Sequence, residues 1–233
     1  MPAASFSLRR FLAVSTAAVA FTLNCAQAAE GEHTLRLDYA AQAPTTVVAK
    51  KFGWVEEALR NDGVTVQWVR FQGAGALPAL ARGEVDFALV ASGDALKARA
   101  AGVPVKAVYV YAHPTPASYG FVAVSEPWLA AHRSSAARVI AAYEHARHWI
   151  AAHPQQAAQV LAQETGISQA AAQAQLAQAD LTVARPGPAQ AQALRDAVGA
   201  SAQQVAALLD DGPIRAALLR GAEPADSRLA LGL

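Results

Sequence analysis

Ala79-Leu80-Ala81-Arg82-Gly83-Glu84-Val85-Asp86-Phe87-Ala88-Leu89-Val90 passes from the end of a short helix into a strand that is apolar almost throughout. Ala76 to Ala81 reads as the helix, and Val85 to Val90 as the strand. A strand without polar alternation is expected where helices cover both faces of a sheet. Upstream, Val64 to Phe71 is rich in β-branched and aromatic residues and reads as another strand. It follows the turn signal Asn61-Asp62-Gly63. Before that, Thr34 to Tyr39 alternates in polarity as a half-buried strand does. Pro44 to Leu59 places Val47, Val48, Phe52, Val55 and Leu59 at helical spacing, with Gly53 weakening the middle. Downstream, Ala95 to Ala101 reads as a helix ended by Gly102, and Val105 to Tyr111 as a fourth strand. This alternation of strand and helix implies right-handed crossovers and a parallel-rich sheet, an α/β fold.

The pattern changes after Tyr111. His113-Pro114-Thr115-Pro116 is expected to lie outside regular structure, because proline lacks the N–H that a ladder needs. Tyr119 to Val124 reads as one more short strand, and everything after Pro127 as helical. Ser134 or Ser135 is the expected cap of a helix carrying Val139, Tyr143 and Ile150 in one stripe. Pro154 is placed to open the next helix and Gly166 to end it, and Ser168 to cap a third. The Gln/Ala-rich run from Gln155 to Gln178 reads as a surface helix pair. Beyond Arg185-Pro186-Gly187-Pro188, two weak helices flank Gly212-Pro213, and the tail from 221 to 233 is expected to fray.

Composition limits the function classes. The chain has 233 residues, 54% of them hydrophobic and 16% charged, and about a quarter are alanine. A net charge of +1 argues against a nucleic-acid role. One cysteine and no Cys/His cluster exclude a disulfide scaffold and a structural zinc site. Residues 1–28 contain no acid, carry Arg9 and Arg10 before the apolar run Phe11 to Leu23, and end in Ala26-Gln27-Ala28. That is the layout of an export signal cleaved after Ala28, which predicts a periplasmic location. Asn24 before Cys25 fits poorly with lipid attachment to that cysteine. Loss of the signal removes the cysteine and leaves a charge of about −1.

Candidate chemistry lies in the turns that follow the parallel strands, because ligands of open α/β sheets bind outside the strands' carboxyl ends. These turns carry Gln42, Thr45, Thr46, Gln72, Gly73, Ser92, Gly93 and Asp94, hydrogen-bonding groups and free amides without a cation. The alternative is that Thr45, Thr46 and Asp94 serve as helix caps. Gly73-Ala74-Gly75 lacks the third glycine of a dinucleotide fingerprint, since Pro78 stands there, so no cofactor is expected. Ser92 lacks the preceding glycine of a nucleophile elbow, and no catalytic residue is expected. His145 and His148 lie one turn apart without a third ligand, so no metal site is expected. The four tryptophans are dispersed and read as core residues.

The residues from Ala40-Ala41-Gln42-Ala43-Pro44, through Val66 to Gly75 and Ala79 to Val90, to Ser92-Gly93-Asp94 resemble the periplasmic substrate-binding proteins of ABC importers. Within these they are most similar to the aliphatic sulfonate, taurine and nitrate group. Phe121-Val122-Ala123-Val124, Trp128 to His132 and Trp149 to Ser168 resemble the return strand and closing helices of the same family. The resemblance implies a type II periplasmic-binding-protein-like lobe that binds a small anionic solute for an ABC permease, without enzymatic activity. It also implies two lobes clamping the ligand. Here the expected organisation is one α/β lobe over 29–118, with a return strand and helices over 119–220 packing on the same lobe and the second lobe largely absent. Loss of that lobe leaves other readings open: an interaction or scaffold protein, self-associating through the face left bare, or a nonfunctional internal-deletion derivative. An enzyme resembling thiamine-pyrimidine synthases would need a metal-binding His/Cys constellation, for which the first lobe offers only His33 and His113.

Overall fold

A computed structural model describes residues 33–71, 73–115, 118–179, 181–182 and 185–221. The expected export signal, Gln72 and the tail after 221 therefore lie outside the described residues. In chain order the elements are β1 (His33–Asp38), α1 (Pro44–Phe52), α2 (Trp54–Leu59), β2 (Val64–Val69), α3 (Ala76–Ala81), β3 (Phe87–Ala91) and α4 (Ser92–Ala100). There follow β4 (Val105–Thr115), β5 (Ser118–Ser125), α5 (Glu126–Ala131), α6 (Arg133–Ala152), α7 (Pro154–Thr165) and α8 (Gln169–Gln178). The last helices are α9 (Pro188–Val198), α10 (Ala202–Leu208) and α11 (Gly212–Gly221).

The strands form one sheet in the order β2-β1-β3-β5-β4. β1 pairs parallel with β2 and with β3, and β5 runs antiparallel between β3 and β4. Four strands thus share one direction, with the return strand β5 inserted against them. Helices cover both faces, which accounts for the unbroken apolarity of β3. One face packs Leu35, Leu37 and Phe87 against Val47 and Val48 of α1 and Ile140 and Tyr143 of α6. The other packs Val90 and Phe121 against Leu80 of α3, Leu96 of α4 and Leu208 of α10.

Several expectations need correction. The helix expected over Pro44 to Leu59 breaks in two at Gly53, which takes a left-handed conformation (φ 67°) open to glycine at little cost. The strand of residues 85–90 begins later, so Asp86 lies just ahead of it. β4 continues through His113 and Pro114, contrary to the expected break. It is the outermost strand, where a missing N–H costs no ladder bond on the open side. Neither Ser134 nor Ser135 caps α6, which begins one residue earlier at Arg133. Three helices, not two, close the chain, because Gly199 (φ 65°) ends α9 before α10 starts. Other signals hold: Gly166 terminates α7 in the left-handed region, and the Ser168 hydroxyl accepts from Ala171 N–H at the start of α8.

β4 and β5 form a hairpin whose last pair is Thr115 with Ser118. A chain passing into a second lobe would leave the sheet at this point. No second lobe is present among the described residues. The free side of β4 is instead partly covered by the C-terminal helices: Leu209 bridges to Ala107, and the Asp210 N–H donates to the Ala107 carbonyl at 3.0 Å. Covering an edge in this way removes a template for strand addition.

Candidate functional site

β1 is followed by α1 on one face of the sheet, and β3 by α4 on the other. Neighbouring parallel strands whose connections leave to opposite faces define a switch point, where a crevice opens at their carboxyl ends. A cleft of about 660 Å³ lies there. Gln42, Asp94 and Lys97 supply polar groups to its wall, and Leu77, Pro78 and Tyr111 supply apolar surface.

One helix begins at this crevice. α4 has no side-chain cap: its N-cap is Ala91, which lines the cleft, so the amides of the first turn have no capping partner. A side chain added at Gly93 would meet open space. α1 starts two residues after Gln42, but its first residue, Pro44, has no N–H and the Thr46 N–H donates to the Ala43 carbonyl at 2.9 Å. The Gln175 side chain of α8 donates to the Ala41 carbonyl, so a C-terminal helix braces the loop that carries Gln42.

The expected site residues fall into separate groups. Gln42 and Asp94 line the same cleft, with Ser92 and Gly93 in the first turn of α4 beside it. Asp94 is exposed and sits 3.6 Å from Lys97. Thr46 is buried and its hydroxyl donates back to the Ala43 carbonyl at 2.8 Å, a bond internal to the helix start. The Thr45 hydroxyl is buried without a partner. The Ser92 hydroxyl accepts from the Tyr119 N–H at 3.1 Å and so ties α4 to β5. Gly73 lies in the short turn of residues 73–75 that leads into α3. His145 packs edge-on against Trp54 at 4.2 Å, and burial, then the nearby His148, hold its pKa below the ordinary value. No group of three or more His, Cys, Asp or Glu able to hold a metal is found among the described residues.

Sequence reasoning missed two features. The first is Asp38, the last residue of β1. Its Oδ2 accepts the Leu89 N–H of β3 at 3.0 Å, so the carboxylate bridges the two strands. Oδ1 is buried and has no hydrogen-bond partner. Burial pushes the Asp38 pKa up to about 6, against the lowering effect of the Leu89, Phe71 and Tyr39 amides. The second is the pair of Tyr111 and Gly120. Gly120 stands between Ala91 of β3 and Ala112 of β4. A methyl there would lie 2.5 Å from two carbons of the Tyr111 ring. The glycine lets the ring lie across β5 and floor the cleft. Burial, and then the charge of Asp38, raise the Tyr111 pKa, so this hydroxyl stays protonated.

A sheet with this order and switch-point crevice is that of a periplasmic-binding-protein-like α/β lobe. Comparison with known proteins agrees and narrows the likeness to the sulfonate-binding proteins of ABC importers. Residues 45–157 match the family described as NMT1/THI5 like. Over 107 residues the chain is 29% identical to the "Putative aliphatic sulfonates-binding protein" of Bacillus subtilis (strain 168). That match takes in 43% of this chain and 32% of the relative, so the chain spans about a third of the curated relative's length. Among solved structures, the alkanesulfonate-binding protein SsuA from Xanthomonas axonopodis pv. citri, bound to MOPS, superposes with a TM-score of 0.62. Identity is 16%, over 79% of this chain and 97% of that one. The periplasmic aliphatic sulphonate binding protein SsuA from Escherichia coli gives a TM-score of 0.60 at 14% identity, over 71% and 85% of the two chains. At these identities the structural likeness is one of fold.

Proposed function

We propose that this chain is the solute-binding component of an ABC importer, exported to the periplasm, which presents a small anionic solute to a membrane permease. An aliphatic sulfonate is the leading class, with taurine and nitrate as further members. The observation that supports this best is the uncapped start of α4 and the side chains of Gln42 and Asp94 meeting on one switch-point cleft. Backbone amides at a helix start offer hydrogen bonds and a partial positive charge to an anionic head group without a paired cation. Leu77, Pro78 and Tyr111 would then pack an aliphatic tail. The reading assigns no chemical step to the site.

A single lobe offers an open shelf. Two-lobed binding proteins gain contacts from hinge closure, and each 1.4 kcal/mol of lost contact weakens binding about tenfold. Millimolar affinity is therefore expected. Ligand that binds only the folded state raises the melting temperature in proportion to its logarithmic excess over Kd. Thermal melts of the full chain with ethanesulfonate, taurine and nitrate should show a rising Tm through the millimolar range for at least one sulfonate. An unchanged Tm with all three would overturn the proposal.

A further inference from the structure

The second turn of α4 brings a cation to the cleft. Lys97 lines it beside Asp94, and it is the one cation among the described residues of the wall. Side chains on a helix lean toward its N-terminus. The Lys97 ammonium accordingly stands back over the first turn, 3.6 Å from an Asp94 oxygen. The amides of that turn have no capping side chain. The chain's other three lysines are committed elsewhere. Lys50 and Lys51 donate to Glu164 at 2.7 and 3.1 Å, and Lys106 donates to the Ala207 carbonyl at 2.7 Å. Among the described residues Lys97 has only the pair with Asp94, which is longer than a hydrogen bond and joins two exposed side chains. Such a pair holds its members weakly. Beyond Lys97, Ala98 and Ala101 continue the same wall as apolar surface, facing Leu77 and Pro78 of α3 in one cleft.

We propose that Lys97 is the specificity-determining cation of the cleft, whose ammonium binds the anionic head group of the solute in competition with Asp94. The proposal rests on the solute-binding reading and deepens it. Backbone amides also accept a neutral polar group, whereas a full positive charge favours an anion. Asp94 works against that preference. Its carboxylate occupies the ammonium and repels an anion arriving at the same turn. The affinity of the cleft for anions is therefore set by the balance of these two side chains, one helical turn apart.

Chemical-shift titration of the full chain with ethanesulfonate and with ethanesulfonamide tests this, because the second probe keeps the shape of the first and lacks its charge. The unaltered protein should bind ethanesulfonate at least about tenfold more tightly. In Lys97→Gln that preference should collapse, through a loss of about tenfold for ethanesulfonate with ethanesulfonamide unmoved. Lys97→Arg, which keeps the charge, should retain the preference. Asp94→Asn should bind ethanesulfonate several-fold more tightly than the unaltered protein, a gain that a structural role for the pair would not produce. Equal binding of the two probes, a preference that survives in Lys97→Gln, or weaker ethanesulfonate binding in Asp94→Asn would overturn the role of Lys97 and leave the solute-binding function standing. Failure of the unaltered protein to bind either probe would overturn the function itself, and this inference with it.

Discussion

Asp38→Asn is expected to stabilise the chain at neutral pH. The folded-state pKa of Asp38 is about 6, above the ordinary 3.8. Below 3.8 the carboxyl is neutral in the folded and unfolded chain alike, and it imposes no penalty. As pH rises through 6, the folded protein must hold a buried charge that the unfolded chain leaves in water, so stability falls. A gap of that size corresponds to about 3 kcal/mol between the two pH limits. Asparagine cannot ionise. Its advantage over the unaltered protein should therefore be about 3 kcal/mol larger at pH 7 than in acid. In a chain of this length that is a Tm difference of roughly 10 °C. Denaturation of the two proteins across the pH range checks it, since other titrating groups cancel in the comparison. An advantage that does not change with pH would show that the buried carboxyl is not the source.

Gly120→Ala should act in the opposite direction. In an ordinary strand position alanine is no worse than glycine, and its lower chain entropy favours the fold. Here its methyl would stand 2.5 Å from the Tyr111 ring, which is itself only 8% exposed. The ring must leave its place over β5, and overpacking of this kind costs about 3 kcal/mol. The clash is specific to one partner. In a Tyr111→Ala background the cost of Gly120→Ala should shrink by about 2 kcal/mol, a coupling typical of residues in contact. A neutral or stabilising Gly120→Ala, with no coupling to Tyr111, would mean that the ring does not floor the cleft. The same substitution should weaken sulfonate binding, because the apolar wall goes with the ring.

The parts of this fold that were legible in the sequence are those encoded locally. The unbroken apolarity from Phe87 to Val90 announced a strand covered on both faces, and the structure buries it between two helical layers. Pro154, Gly166 and Ser168 marked helix ends because each acts within its own turn. The failures have non-local causes. Pro114 sits in a strand because β4 is outermost, a fact of sheet order that no local pattern carries. Asp38 was hidden by its own alternation. With Leu35 and Leu37 on one face, Arg36 and Asp38 read as a solvated face. Asp38 is nevertheless buried, and its hydrogen-bond partner Leu89 of β3 is 51 residues away in sequence. Gly120 carries no local signal, because the Tyr111 ring that rests on it belongs to the neighbouring strand. Gln42 and Asp94 line one cleft because strand-to-helix turns gather at one end of a parallel sheet. Thr46 turned inward because a hydroxyl at a helix start can also bond its own backbone.

The central claim is that an anionic solute sits at the start of α4, in the crevice between β1 and β3. Amide-resolved NMR of the full chain, titrated with 2-aminoethanesulfonate, tests it most directly. Progressive, saturable shifts are predicted for the amides of Ser92, Gly93 and Asp94, together with Gln42 and the Leu89 amide that bonds Asp38. Saturating shifts confined to other surfaces, or none in the millimolar range, would contradict the account.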